Sequence, residues 1–187
     1  MSAANLARAL AFIDEDEGPE LNIGGSEPGG SSKHGVSMTV LQEWHQSHGL
    51  PPPTMDDMRA VDATLAGQIY TAKFADPIRF NDLPGGVDYR LLDIAVNLGV
   101  AGGVMALELA LQVWPVDGVM TDALLASSRQ IDPHALIEAL SAVWISKKHE
   151  SPNWNPSPIT RNGYGRGWTN RNIRATARAI DLIGAGA

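Results

Sequence analysis

The stretch "DEDEGPELN", residues 14–22, marks the point where the first helix of the chain must end. Gly18 and Pro19 are the stop signal, because glycine accepts the left-handed cap and proline cannot continue the helical hydrogen bonds. Three apolar residues recur upstream at helical spacing, namely Leu6, Leu10 and Ile13. The four acids at 14–17 therefore occupy a helix C-terminus, where the helix dipole disfavours carboxylates.

Downstream of this stop, residues 21–37 hold five glycines and one proline, so they predict a glycine-rich loop or small hairpin rather than a helix. Helical periodicity dominates the remainder. A second helix carries Val40, Leu41 and Trp44 and ends at Gly49 and the prolines 51–53, and a third, capped by Asp62, carries Leu65, Ile69 and Phe74. Further helices are expected at 87–100, 103–113, 122–129, 133–148 and 168–183. The predicted fold class is mainly α, with one small β-hairpin near residues 20–37.

Composition excludes several classes of protein. The chain has 187 residues, 44% hydrophobic and 19% charged, which is typical of a soluble globular protein. Its net charge of −7 argues against a general nucleic-acid binder. Residues 161–187 nevertheless hold five arginines and one acid, which are either a solvated helix face or a basic surface for an anionic polymer.

Other absences narrow the chemistry further. Without cysteine there are no disulfides and no thiol chemistry, and the five histidines lack the spacing of a metal site. The start, "MSAANLARAL", lacks a charged region followed by an apolar run, so no signal peptide is expected. The most apolar stretch, residues 94–107, is too short to cross a bilayer and predicts a buried helix or a pair of helices.

The order of a helix ending in carboxylates, a glycine-rich hairpin and a helical body is the layout of lysozyme-like glycosidases. Five short motifs in order add a more specific resemblance, which runs from about Glu17 to "GRGWTNR" (165–171). They are "EGPELN" (17–22), "EPGGSSKHGVS" (27–37), "IYTAKFADPI" (69–78), "LLDIAVNLG" (91–99) and "PVDGV" (115–119). The chain resembles the glycoside hydrolase family 108 N-acetylmuramidases, which are phage endolysins and related bacterial proteins.

The resemblance implies a catalytic set near the hairpin. Glu17 stands at the family's Glu-Gly-Gly position and is the expected general acid; neighbouring acids and the opposing helix dipole favour the protonated carboxyl that this role needs. Glu27 replaces the aspartate of Asp-Pro-Gly-Gly, and Ser32 replaces the family's threonine. Glu27 would be the base, with the Ser32 hydroxyl holding a water, or Glu27 is only a turn residue. For Asp14, Glu15 and Asp16 we expect solvent-facing side chains.

The resemblance also implies substrate-binding residues farther along the chain. Asp93 and Asn97, one helical turn apart, would line the sugar cleft, or they satisfy buried backbone groups instead. Trp168 belongs to a late aromatic group with Trp154 and Tyr164 that could stack on a sugar or serve packing. Two further tryptophans, Trp44 and Trp144, lie on apolar stripes and are expected in the core.

These features predict an N-acetylmuramidase that hydrolyses the β-1,4 bond between N-acetylmuramic acid and N-acetylglucosamine in bacterial peptidoglycan, without cofactor or metal. The alternatives are a non-catalytic cell-wall-binding or phage structural protein and a lytic transglycosylase. We expect a catalytic region at 1–95 and a helical, peptidoglycan-binding-like region at 96–187, packed as one unit. We also expect a monomer without nucleic-acid partners or stable membrane insertion, kept in the host cytoplasm until holin-dependent release, or virion-associated.

Overall fold

The computed structural model describes residues 3–24, 30–154 and 164–184. Over these residues the chain forms eight α-helices and one two-stranded antiparallel sheet. The elements are α1 (Ala3–Glu17), β1 (Ser32–Lys33), β2 (Val36–Ser37), α2 (Met38–Ser47), α3 (Met55–Ala60), α4 (Ala63–Tyr70), α5 (Val87–Leu111), α6 (Asp122–Ser128), α7 (Pro133–His149) and α8 (Gly165–Leu182). The mainly α, lysozyme-like fold class is confirmed.

Local signals in the sequence explain most helix boundaries. Gly18 ends α1 with φ +80°, and its N–H donates to the Asp14 carbonyl at 2.9 Å. The Asp62 side chain accepts from the Leu65 N–H at 2.8 Å and begins α4 as predicted. The Phe74 end of that predicted helix instead forms a π-helical turn, Thr71–Ala75. Helix α3 was not predicted from the sequence.

The hairpin is shorter than the loop that contains it. Ser32 pairs with Ser37 and Lys33 with Val36, so a two-residue turn, His34 and Gly35, joins the strands. Both turn residues have positive φ, 50° and 70°, as a tight hairpin turn requires. The predicted small β element is therefore confirmed.

The chain folds into two compact units. The first unit is Leu10–Lys73, and the second unit combines Met1–Ala9 with Phe74–Ala187. In the first unit, the hairpin packs against α2 and α3. Its core is apolar and includes Ile13, Val36, Leu41, Met58, Val61 and Ile69. The division of function at residues 95 and 96 stays a prediction.

In the second unit, α5 packs against α7 and α8. Val87–Ala95 of α5 is buried without interruption, and Trp144 of α7 is fully buried as expected. Gly99 leaves the helical conformation with φ 79° and ψ 164°, so α5 is two helical segments in sequence. The expectation of a buried helix or a pair of helices at 94–107 describes this element.

By length and composition alone, Val87–Leu111 is the one helix in the described part of the chain that could cross a membrane. The same helix contains the break at Gly99 and four buried charged residues, namely Asp88, Arg90, Asp93 and Glu108. A helix at the core of a protein satisfies the same criteria of length and composition.

Candidate active site

Glu17 is the last residue of α1, and its side chain is half-buried. The helix ends at this residue, so the carboxyl stands at the C-terminal end of the α1 backbone. The Glu20 carboxylate lies beside this end, because a Cβ added at Gly18 would lie 2.7 Å from Glu20 Oε2. The four-acid stretch thus ends with Glu17 half-buried beside a second carboxylate.

The hairpin turn lies directly against Glu17. A Cβ added at Gly35 would lie 2.8 Å and 2.9 Å from Cβ and Cγ of Glu17, and it would overlap the hydroxyl of Tyr70. Real Cβ atoms do not approach other atoms so closely, and φ +70° at Gly35 independently disfavours any other residue. Glycine at this position therefore lets the turn, Glu17 and Tyr70 meet.

The preceding turn residue, His34, is buried and joins two helices. Its Nδ1 lies 2.5 Å from Oδ1 of Asp14 in α1, and its carbonyl accepts a hydrogen bond from the Tyr70 hydroxyl of α4 at 3.4 Å. Asp14 was expected to face solvent, and this is wrong, because its side chain is 33% exposed and is engaged with the imidazole. Of the two acids that follow, Glu15 is exposed as expected and Asp16 is half-buried.

Ser32 begins the hairpin and is half-buried. Its backbone is held on both sides, by the pairing with Ser37 and by two hydrogen bonds of 2.8 Å and 2.9 Å with Asn22. Glu27, the second expected catalytic residue, lies outside the described residues. The structure therefore brings Glu17 and the hairpin together and leaves the role of Glu27 a prediction.

Asp93 and Asn97 belong to the second unit. Asp93 is fully buried: Arg90 Nη1 donates to one carboxylate oxygen at 2.6 Å, and Arg171 Nε donates to the other at 3.1 Å. Asn97 donates to the backbone carbonyl of Asp93 at 2.8 Å, two residues before the break at Gly99. Asn97 thus bonds a backbone group, as the alternative interpretation proposed, whereas Asp93 forms an ion-pair network that the sequence did not indicate. A contact of either residue with sugar stays a prediction.

Trp168 stands in the first turns of α8 within a group of aromatic rings. Its ring stacks on those of Trp154 and Tyr164, with centroids 6.1 Å and 5.6 Å apart, and Tyr164 is exposed. The Lys148 ammonium lies 4.9 Å from the Trp168 ring centroid. Burial lowers the pKa of Lys148, and the charge of Arg171 lowers it further. The three predicted aromatic residues therefore do lie together.

A separate groove of about 320 Å³ lies on the first unit between α2 and α4 with the turn that follows α4. Trp44, expected in the core, is only half-buried and lines this groove. Its ring lies 3.9 Å from that of His48, which accounts for part of its burial. An ion pair between Lys73 and Glu43 joins the two walls.

Sequence reasoning missed three residues of the site: His34, Gly35 and Tyr70. The signal for Gly35 was the dipeptide His-Gly between two short polar stretches, which is compatible with a tight turn. Nothing in the sequence indicated the contact of His34 with Asp14, twenty residues away.

A small hairpin that lies against the Glu17 side chain at the end of the first helix, within a mainly α fold, is the arrangement of a lysozyme-like fold. Residues 10–99 match the family described as Glycosyl hydrolase 108, which is the family that the motifs indicated. The structure is similar to that of SagA from Brucella abortus, with a TM-score of 0.80, 26% sequence identity and 97% of each chain covered. No curated protein matches the sequence.

Proposed function

We propose that the chain is a peptidoglycan hydrolase, an N-acetylmuramidase that cleaves the β-1,4 bond after N-acetylmuramic acid, with Glu17 as general acid. The observation that carries the proposal is the contact between the Glu17 side chain and the hairpin turn at Gly35, in the region that matches the glycosidase family. This packing holds the methylenes of Glu17 and directs its carboxyl, and a catalytic carboxylic acid must be so oriented toward the glycosidic oxygen.

Hydrolysis also needs a second carboxylate. We assign this role to Glu27, with the Ser32 hydroxyl positioning the water between the two acids. A direct displacement requires carboxyls roughly 6.5–9.5 Å apart, and a covalent mechanism requires about 5–5.5 Å. We propose the wider separation, because the loop from Glu17 to Ser32 is long enough to place the second acid across the bond. If Glu27 is only a turn residue, Glu20 is the next candidate, since its carboxylate lies beside Gly18.

We also propose substrate contacts outside the hairpin and a cellular location for the reaction. Trp168 and the rings stacked on it offer aromatic faces to a glycan, and Asn97 offers its side-chain amide. Asp93 contributes by holding Arg90 and Arg171 in position. No cofactor is required for acid–base cleavage. The enzyme would act as a monomer on the cell wall, after holin-dependent release from the host cytoplasm or delivery with a virion.

The test is lysis of purified peptidoglycan, followed by turbidity, with mass analysis of the products. Glu17→Gln keeps the shape of the side chain and removes its proton, so we expect activity to fall by about 10²–10⁴-fold with an unchanged far-UV circular dichroism spectrum. Glu15→Gln is the matched control, because Glu15 lies two residues before Glu17 and is exposed. This variant should behave as wild type.

Product masses and a second variant complete the experiment. Muropeptides that contain an added water support a hydrolase, products lighter by one water indicate a lytic transglycosylase, and no product indicates a binding protein. Glu27→Gln should abolish the acidic limb of a bell-shaped pH profile. An unchanged profile would move the base to Glu20. Loss of activity in Glu15→Gln together with full activity in Glu17→Gln would contradict the assignment of the acid.

A further inference from the structure

Asp14 of α1 and Tyr70 of α4 both bond to His34 at the tip of the hairpin, and we call these three residues the hairpin clamp. The His34 imidazole bonds to Asp14 at 2.5 Å, and the His34 backbone carbonyl accepts from the Tyr70 hydroxyl at 3.4 Å. Asp14 precedes Glu17 by three residues, so the two side chains project from neighbouring positions on one face of α1.

The hairpin depends on such anchors for its position. Each strand has two residues, and a sheet of this size does not hold itself in place. Its two-residue turn contains Gly35, whose backbone lies against the methylenes of Glu17 and the Tyr70 hydroxyl. A displacement of the turn therefore changes the direction of Glu17 and the position of Ser32 together.

Histidine is not the preferred residue for the turn itself. His34 has φ 50°, which histidine tolerates better than most residues with a side chain, but Asn-Gly is the preferred pair in such a turn. Its ring is nevertheless buried and bonded to the carboxylate of Asp14. The turn thus contains a residue other than the preferred asparagine. This histidine provides the contact between its imidazole and Asp14 of α1.

We propose that the hairpin clamp is a positioning device for the reaction: Asp14, His34 and Tyr70 hold the turn against α1 and thereby orient Glu17 toward the bond and Ser32 toward the water. This inference rests on the proposed function for its consequence in catalysis, whereas the clamp itself is a property of the fold. The three residues act through Glu17 and Ser32 and do not touch the reacting atoms. A positioning role predicts a loss in kcat with KM preserved.

Three variants each weaken one part of the clamp and keep a residue that the turn or the helix accepts. His34→Asn keeps a residue that tolerates positive φ and removes the imidazole. Asp14→Asn keeps the size of its side chain and removes the charge. Tyr70→Phe removes only the hydroxyl, and Glu15→Gln, on the neighbouring exposed position of α1, is the matched control. Each variant is assayed for kcat and KM on soluble peptidoglycan fragments, and for amide hydrogen exchange in residues 32–37.

We expect His34→Asn and Asp14→Asn each to lower kcat by about tenfold or more with KM within about twofold, and to speed exchange of the hairpin amides. The double variant should be no worse than His34→Asn alone, because the change at Asp14 then alters a contact already lost. Tyr70→Phe should give a smaller loss in the same direction, since its hydrogen bond is long.

Additive losses in the double variant, or unchanged hairpin exchange in both single variants, would overturn the clamp. Exchange is measured without substrate, so it tests the clamp even if the wild-type protein cleaves no peptidoglycan, in which case the proposed function alone fails. Faster exchange with unchanged kcat would show that the hairpin is anchored by these residues but does not orient Glu17, and the positioning proposal would be rejected.

Discussion

The buried ion pair of Asp93 gives a prediction about stability. Asp93 and Arg90 are both fully buried, and their charges lie 2.6 Å apart, with Arg171 on the second carboxylate oxygen at 3.1 Å. Arg90 is further held by Ser141 at 3.0 Å and by Asn172. Burial lowers the pKa of Arg90, and the attraction of Asp93 opposes this shift. Asp93→Asn therefore leaves a buried guanidinium without its counter-charge.

Breaking a buried ion pair from one side costs about 3–5 kcal/mol, which is a large share of the roughly 5–15 kcal/mol that stabilises a typical protein. At about 2–4 °C per kcal/mol for a chain of this length, the melting temperature should fall by roughly 6–20 °C. Removing both charges, in Asp93→Asn with Arg90→Met, should cost less than the sum of the single changes.

The chain contains a control pair with the same spacing and distance, in which the acid precedes the arginine. Asp56 and Arg59 are also three residues apart and also bonded at 2.6 Å, but the Asp56 side chain is 90% exposed. Asp56→Asn should therefore change the free energy of unfolding by less than about 1 kcal/mol. Urea denaturation of the variants, followed by far-UV circular dichroism, measures all of these differences.

A direct role of Asp93 in substrate binding makes the opposite prediction. If Asp93→Asn unfolds like wild type while KM for peptidoglycan rises, Asp93 contacts sugar and our account of the ion pair is wrong. If Asp93→Asn and Asp56→Asn lower the free energy of unfolding equally, burial of the ion pair is not the cause of the loss.

Two further predictions concern helix starts. Asp88, in the first turn of α5, accepts from the N–H groups of Gly86 and Tyr89 at 2.8 Å and 2.7 Å, and burial raises its pKa. Because the folded state then binds the proton more tightly than the unfolded chain, this group lowers stability as pH rises through its unfolded pKa toward its folded pKa. Asp88→Asn should weaken that dependence in urea titrations at acidic and neutral pH, whereas Asp88→Ala should cost about 1–3 kcal/mol; a steeper dependence in Asp88→Asn would contradict the sign. Thr54 and Asp57 form a capping box at α3, so Thr54→Ala should lower the free energy of unfolding by about 1 kcal/mol in thermal denaturation. Thr39 is exposed, and Thr39→Ala should leave the free energy of unfolding nearly unchanged.

Much of the fold could be predicted because its signals are local. Gly18 and Pro19 end α1, Asp62 begins α4, and the helices α6, α7 and α8 lie close to their expected ranges. Helix α3 was missed because six residues give too little periodicity. Its capping box, Thr54 with Asp57 three residues later, was the available signal.

The site was less predictable because its contacts join distant parts of the chain. Asp14 and His34 are separated by twenty residues, and Asp93 and Arg171 by seventy-eight. A sequence shows the charge of such residues but not which of them meet. For this reason the four-acid stretch yielded the position of Glu17 but suggested that Asp14 faces solvent.

The break at Gly99 has a consequence for how the protein unfolds. Before it, residues 87–95 of α5 are buried without exception; after it, residues 100–111 mix buried positions with half-buried and exposed ones. Local opening requires less free energy where fewer apolar contacts are lost, and an interruption of the helical backbone lets one segment open without the other. The later segment can therefore exchange its amides through partial opening, while the earlier one reports the cooperative loss of the core.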